Sequence, residues 1–202
     1  MNTKITMIAV AALVGCHSEA ANAPSQKTAD KPATNQPLSF EESAKRGKHL
    51  TLVSGCNDCH TPLKMGANGP EPDWSRELSG HPAELVMPPA PKLPEGPWLV
   101  TVAATNTAWS GPWGVSFTAN LTPDNETGTG TWTKQNFIGT IKNGRHLGAG
   151  RPLLPPMPAA MYANYSDEDL GAIYDYLRTL KPISNKVPAP LAPAPAPAQG
   201  GK

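Results

Sequence analysis

The residues with the clearest chemistry form the string Cys56-Asn57-Asp58-Cys59-His60. Two thiols three positions apart can add to the two vinyl groups on one edge of a porphyrin. The next residue then lies under the ring, where an imidazole can ligate iron. The spacing therefore predicts one covalent c-type haem, with Cys56 and Cys59 making the thioethers and His60 ligating the metal. Three other uses compete: a thioredoxin-like redox pair, half a zinc site, or a plain disulfide. The first calls for a βαβ context, and the second for further Cys or His at motif spacing. In an exported protein, whose thiols meet oxidising conditions, a Cys56–Cys59 disulfide is the main competitor.

The third cysteine, Cys16, has a use of its own. Lys4 supplies a positive n-region, and Ile5 to Val14 is an apolar run too short to cross a hydrocarbon core of ~30 Å as a helix, so residues 1–15 read as an export signal. Leu13-Val14-Gly15-Cys16 resembles the bacterial lipobox, which implies that Cys16 becomes a lipidated N-terminus. Two or more acyl chains at ~0.8 kcal/mol per buried CH₂ anchor stably where one chain would exchange. The expected location is the periplasmic face of a membrane, and His17 after the Cys points to the outer membrane if enteric sorting rules apply.

Elements must position the C-x-x-C-H string, and composition limits them. Pro (24) and Gly (18) make up about a fifth of the 202 residues, so long regular elements are not expected. A charged content of 16% and a formal charge of +1 give no electrostatic case for nucleic acid, and 39% hydrophobic residues exclude a multi-span membrane protein. Residues 16–38 have almost no large apolar side chains and read as a flexible tether. Residues 187–202, rich in Pro and Ala, read as a disordered, semi-rigid polyproline tail without a core. One domain, residues 39–186, remains. Ser39 with Glu42 is a capping box that starts a helix running to about Ser54. Thr133 starts a second, which Gly144 stops. Ser166 caps a third, whose Leu170, Ile173, Tyr174, Leu177 and Leu180 share one face before Pro182. Short strands are expected at Trp98 to Ala103 and Gly114 to Asn120.

Over residues 39–186 the sequence resembles the class I c-type cytochromes, and within them the single-haem domains of bacterial lipoproteins and of the cytochrome subunits of membrane-bound dehydrogenases. The matching strings are Arg46-Gly47-Lys48-His49-Leu50, Thr61-Pro62, Leu78-Ser79-Gly80-His81-Pro82, Phe117 to Asp124, Pro155-Pro156-Met157-Pro158, and Asp169-Leu170 through Tyr176-Leu177. The resemblance implies an all-α fold of helices around one covalent haem, in which Gly47 lets the first helix cross the last and Tyr176 packs at the crossing. His49 departs from the pattern, standing where relatives usually carry an aromatic. His60 and Met157 are farther apart than in small members, so residues 65–130 read as a long Pro/Gly-rich loop insertion.

The sixth ligand decides between electron transfer and gas or peroxide chemistry. Met157 is the leading candidate, because Pro155, Pro156 and Pro158 fix its backbone in a stiff loop. Met161 is the second, Met65 and Met87 read as packing, and His81 or His146 would give bis-histidine ligation. The resemblance implies a proline carbonyl as acceptor for the His60 ring N–H, with Pro82, Pro94 and Pro97 as candidates. Arg145, Arg151, Trp98, Trp109 and Trp113 are candidate donors to the haem propionates. With one C-x-x-C-H and no triad, P-loop or paired carboxylates, the expectation is an electron carrier with redox-protein partners and not an enzyme. A dedicated dehydrogenase subunit is the alternative, and a haem sensor or peroxidase a more remote one.

Overall fold

The computed structural model describes residues 37–94 and 96–193. The export signal, Cys16 and nearly all of the expected tether lie outside the described residues. Helix α1 (Phe40–Val53) begins at the expected capping box: the Ser39 hydroxyl accepts from the Glu42 N–H, and the Glu42 carboxylate accepts from the Ser39 N–H at 3.0 Å. Helix α2 (Cys56–His60) follows after one turn. Strands β1 (Leu63–Gly66) and β2 (Gly69–Pro72) form a hairpin, and β3 (Thr101–Val102), β4 (Ala108–Gly111) and β5 (Gly114–Phe117) an antiparallel three-stranded sheet. Helices α3 (Lys134–Asn143), α4 (Ala159–Tyr162) and α5 (Asp167–Leu177) complete the order. No helix among the described residues is long and apolar enough to cross a membrane.

The all-α expectation is therefore corrected. Among the described residues there are five α-helices, but also two small antiparallel sheets, a hairpin where loop was expected and a three-stranded sheet that takes in the two expected strands. Their strands have two to four residues, which leaves too few positions for an alternating pattern to be visible in sequence. The expected strand from Gly114 stops at Phe117, and the one from Trp98 shrinks to Thr101–Val102. Helix α5 ends at Leu177, three residues before Leu180. Its last turn tightens into i→i+3 bonds, Thr179 N–H to the Tyr176 carbonyl (2.8 Å) and Leu180 N–H to the Leu177 carbonyl (3.3 Å).

The core sits where α1, α3 and α5 meet, built on Leu78, Phe137, Ile141, Leu170, Ile173, Tyr176 and Leu177. Helix α1 buries Ala44, Gly47 and Thr51. At Gly47 it meets α5 so closely that an added Cβ would lie 1.8 Å from the Ala172 carbonyl oxygen. His49 is exposed on the other face of α1, so its departure from the family pattern leaves the crossing intact. Asp175, 5% exposed, accepts from the Ser43 hydroxyl and from Lys134 Nζ, each at 2.7 Å, and so ties α5 to both α1 and α3. Tyr176 packs in the core and donates its hydroxyl to Glu77 at 2.8 Å.

Residues 187–193 do not leave the fold where the sequence suggested, and the rest of the expected tail, residues 194–202, lies outside the described residues. The described chain continues to Pro193, and Leu191 pairs antiparallel with Val115. A Pro/Ala composition cannot build a core of its own. It can still lie against one built by others.

Candidate haem site

The C-x-x-C-H string forms one short helix because Gly55 adopts the left-handed conformation (φ 71°) and turns the chain sharply out of α1. Its far end is pinned. Thr61 donates its hydroxyl to Asn57 Oδ1 (2.8 Å) and accepts from the Leu78 N–H (2.9 Å), while Asn106 Nδ2 donates to the Asp58 carbonyl (2.6 Å). Cys56 and Cys59 are not joined to each other in a disulfide. Burial pushes the Cys56 thiol up to about 11, and Cys59 is raised for the same reason. A reactive redox dithiol needs the opposite shift, toward thiolate at neutral pH. No group of three or more His, Cys, Asp or Glu able to hold a metal occurs among the described residues.

His60 is held at two points. Its carbonyl accepts from the Gly80 N–H at 2.8 Å, and its ring Nδ1 lies 2.8 Å from the Ala119 carbonyl. Donation from Nδ1–H fixes the tautomer and leaves Nε2 as the nitrogen with a lone pair for a metal. Burial lowers the His60 pKa, partly opposed by the Ala119 carbonyl, and so favours the neutral ring, the form able to bind a metal. The expected proline carbonyl is corrected to Ala119. Residues 118–121 run alongside 78–81, joined by His81 N–H to the Thr118 carbonyl and Leu121 N–H to the Leu78 carbonyl, each at 2.9 Å. That pairing brings Ala119, and none of Pro82, Pro94 or Pro97, beneath the ring. His81 is fully buried and occupied, with Nδ1 at Thr107 Oγ1 and Nε2 at the Leu85 carbonyl, both 2.9 Å.

Cys56, Cys59, His60 and Met157 line one cavity of about 590 Å³. Leu121, Phe137, Ile141, Leu170, Ile173 and Leu177 are among its apolar walls. This size lies within the ~300–1,000 Å³ of cofactor sites. Thr51 and Thr118 also line it, and the hydroxyl of each is buried without a protein partner. Orphaned buried hydroxyls are rare unless a bound group or water satisfies them, so the cavity fits an occupant with polar groups on an apolar body.

Met157 sits in the expected proline loop, held by Met157 N–H to the Leu154 carbonyl (3.2 Å), Ala159 N–H to the Met157 carbonyl (2.9 Å) and Ser116 Oγ to the Pro155 carbonyl (2.6 Å). Met161 is 72% exposed and Met65 77%, and neither lines the cavity. His146 does line it and meets Trp132 edge-on at 5.2 Å. Of the candidate propionate donors, Arg151 lines the cavity. Arg145 donates to the Gly150 carbonyl, Trp113 to Ser116 Oγ, and Trp98 is 75% exposed. Trp109 Nε1 is buried and unpartnered, but its ring is not among the cavity walls. Trp132, which the sequence did not single out, is one of those walls.

A largely apolar cavity lined by two thiols and a fixed imidazole suits a macrocycle tethered through those thiols. Fold and site together define a haem c protein. The family profile for cytochrome c matches residues 44–181, and the chain belongs to that family. It is thus an electron-transfer protein carrying covalent haem c. It is 27% identical over 175 residues to the fructose dehydrogenase cytochrome subunit of Gluconobacter japonicus, covering 86% of this chain and 28% of that protein. It is 26% identical over 151 residues to the cytochrome c subunit of the quinone alcohol dehydrogenase of Gluconobacter oxydans, covering 73% of this chain and 24% of that one. A shorter match, 38% over 65 residues, relates it to the gluconate 2-dehydrogenase cytochrome c subunit of Pantoea cypripedii, covering 32% of this chain and 14% of that protein. The matched part of the chain therefore spans between 14% and 28% of the length of these relatives.

Proposed function

We propose that this chain carries single electrons at a membrane surface, with haem bound through Cys56 and Cys59 and with His60 and Met157 as axial ligands. The observation that carries the reading is that these four residues, from two segments distant in sequence, line the same cavity. Haem, when bound, supplies a one-electron couple at iron. The protein's part is positioning and environment. His60 presents Nε2 from a ring whose other nitrogen is fixed on Ala119. Met157, a soft thioether, favours the reduced state, and the apolar walls exclude water. The test is denaturing electrophoresis with haem staining after expression in a host that matures c-type cytochromes. A stained band is expected from the wild type and a greatly weakened one from the Cys56→Ser, Cys59→Ser double variant. A colourless wild type would overturn the reading.

The partner proposed is a redox protein, and the names of the relatives favour a dehydrogenase, either as a loosely docking donor or as a complex of which this chain is a dedicated subunit. Copurification with a flavin- or quinone-containing subunit would distinguish the second arrangement. The location proposed is the periplasmic face, held by lipid on Cys16. Cys16→Ser should move most of the holoprotein to the soluble fraction with an unchanged visible spectrum. Continued membrane attachment would favour an uncleaved anchor instead.

A further inference from the structure

The cytochrome c family match ends at residue 181, yet the chain beyond it returns to the haem site. The return is moored twice. At the first mooring Ile183 donates its N–H to Thr122 Oγ1 (3.1 Å), and its carbonyl accepts from Asn120 Nδ2 (2.8 Å). Asn185, 3% exposed, uses its whole side chain: Oδ1 accepts from the Ala83 N–H (2.8 Å), and Nδ2 donates to the Ser79 (2.7 Å) and His81 (2.9 Å) carbonyls. At the second mooring Leu191 and Val115 exchange both backbone hydrogen bonds at 2.9 Å. Gly114 makes room for this. Its φ is +95°, and an added Cβ would stand 2.0 Å from the Leu191 carbonyl oxygen.

Between the moorings, Lys186, Val187, Pro188, Ala189 and Pro190 line the cavity. Pro188 and Pro190 have no N–H, and the Val187 N–H is satisfied by the Asn185 carbonyl (3.0 Å), so this span can face an apolar group with few backbone donors left unpaired. We propose that residues 186–191 are a strap forming one wall of the haem site, a cofactor-binding segment outside the family domain. It shields the haem from water and thereby raises its potential and slows access of small reductants. The proposal rests on the reading that this cavity holds the haem.

The test uses full-length holoprotein and two substitutions. Leu191→Pro removes the N–H that bonds Val115, and Val187→Glu puts a carboxylate on the proposed wall. Both should keep covalent haem and the near-infrared charge-transfer band of thioether-ligated ferric haem. With Val187→Glu the midpoint potential should fall, and fall further as pH rises through the titration of the new carboxylate, because the anion stabilises ferric iron. With Leu191→Pro reduction by ascorbate should become several-fold faster and the potential lower. Leu99→Glu, at an exposed site away from the cavity, should change neither. Wild-type potential and rate in both strap variants would overturn the proposal. If Leu191→Pro does not accumulate, Val187→Glu alone decides. Loss of the thioether band from the wild type itself would instead overturn the Met157 assignment, while the Val187→Glu shift would still report on the strap.

Discussion

Holoprotein carrying Met157→Ala should retain covalent haem, bind carbon monoxide readily, and show a potential lower by at least ~0.1 V, within the ~0.8 V that axial ligation spans. With the proposed ligation by imidazole and thioether, the wild type would have no vacant position and should bind carbon monoxide poorly. The loop should survive the substitution, because what holds it is backbone: the Leu154, Met157 and Pro155 carbonyls are engaged whether or not a thioether is present. Two neighbours define the alternatives. Met161, 72% exposed and outside the cavity, should be replaceable by Ala with no spectral change. His146 lines the cavity, and a bis-imidazole spectrum in Met157→Ala would show that it swings in to replace the sulfur. Tight carbon monoxide binding by the wild type would remove the case for a closed, six-coordinate carrier.

The largest effect on stability is expected from Gly47→Ala. The new Cβ would lie 1.8 Å from the Ala172 oxygen, 2.4 Å from its carbonyl carbon and 2.9 Å from the Ile173 nitrogen. All three are backbone atoms of a helix and cannot turn aside as a side-chain tip would. Helices α1 and α5 must separate, loosening Leu170, Ile173 and Leu177 together, at a cost of about 3 kcal/mol, the upper part of the range for overpacking. Gly171→Ala is the matched control. Its Cβ would meet Lys134 Cδ at 3.3 Å, a flexible chain, and Ala is the better helix former by up to ~1 kcal/mol. Denaturant unfolding of the holoproteins should therefore show a large loss for the first and little change for the second. Equal losses would mean that the crossing is not what Gly47 serves.

The caps of α1, α3 and α5 were legible in sequence because a cap is local. Ser39 with Glu42, Thr133 with Asn136, and Ser166 with Asp169 each sit three residues apart and need no tertiary partner. The haem string was legible for the same reason, and Met157 stood out from Met161 through the prolines beside it. The β1–β2 hairpin was not legible, since β2 is Gly69-Pro70-Glu71-Pro72 and carries two prolines in four residues. Such a strand is fixed by its partner Leu63–Gly66, not by its own propensity. The strap was misread because composition reports what a segment can do alone. Its moorings, Asn185, Val115 and Gly114, are a buried amide, a strand residue and a glycine that no local pattern connects.

The acceptor beneath His60 is a main-chain atom, and this changes which substitutions can tune the site. Any residue that keeps the backbone of Ala119 in place would still offer the same carbonyl to the imidazole. The basicity of this imidazole is thereby insulated from the identity of the side chain at the position that supplies its partner. Vulnerability is displaced to Gly80, whose N–H holds the His60 carbonyl and whose added Cβ would strike the Thr118 oxygen at 2.4 Å and the Ala119 oxygen at 2.6 Å. A designer wishing to tune this imidazole through its hydrogen bond would therefore work at the spacing between two backbone segments, with no side chain to exchange.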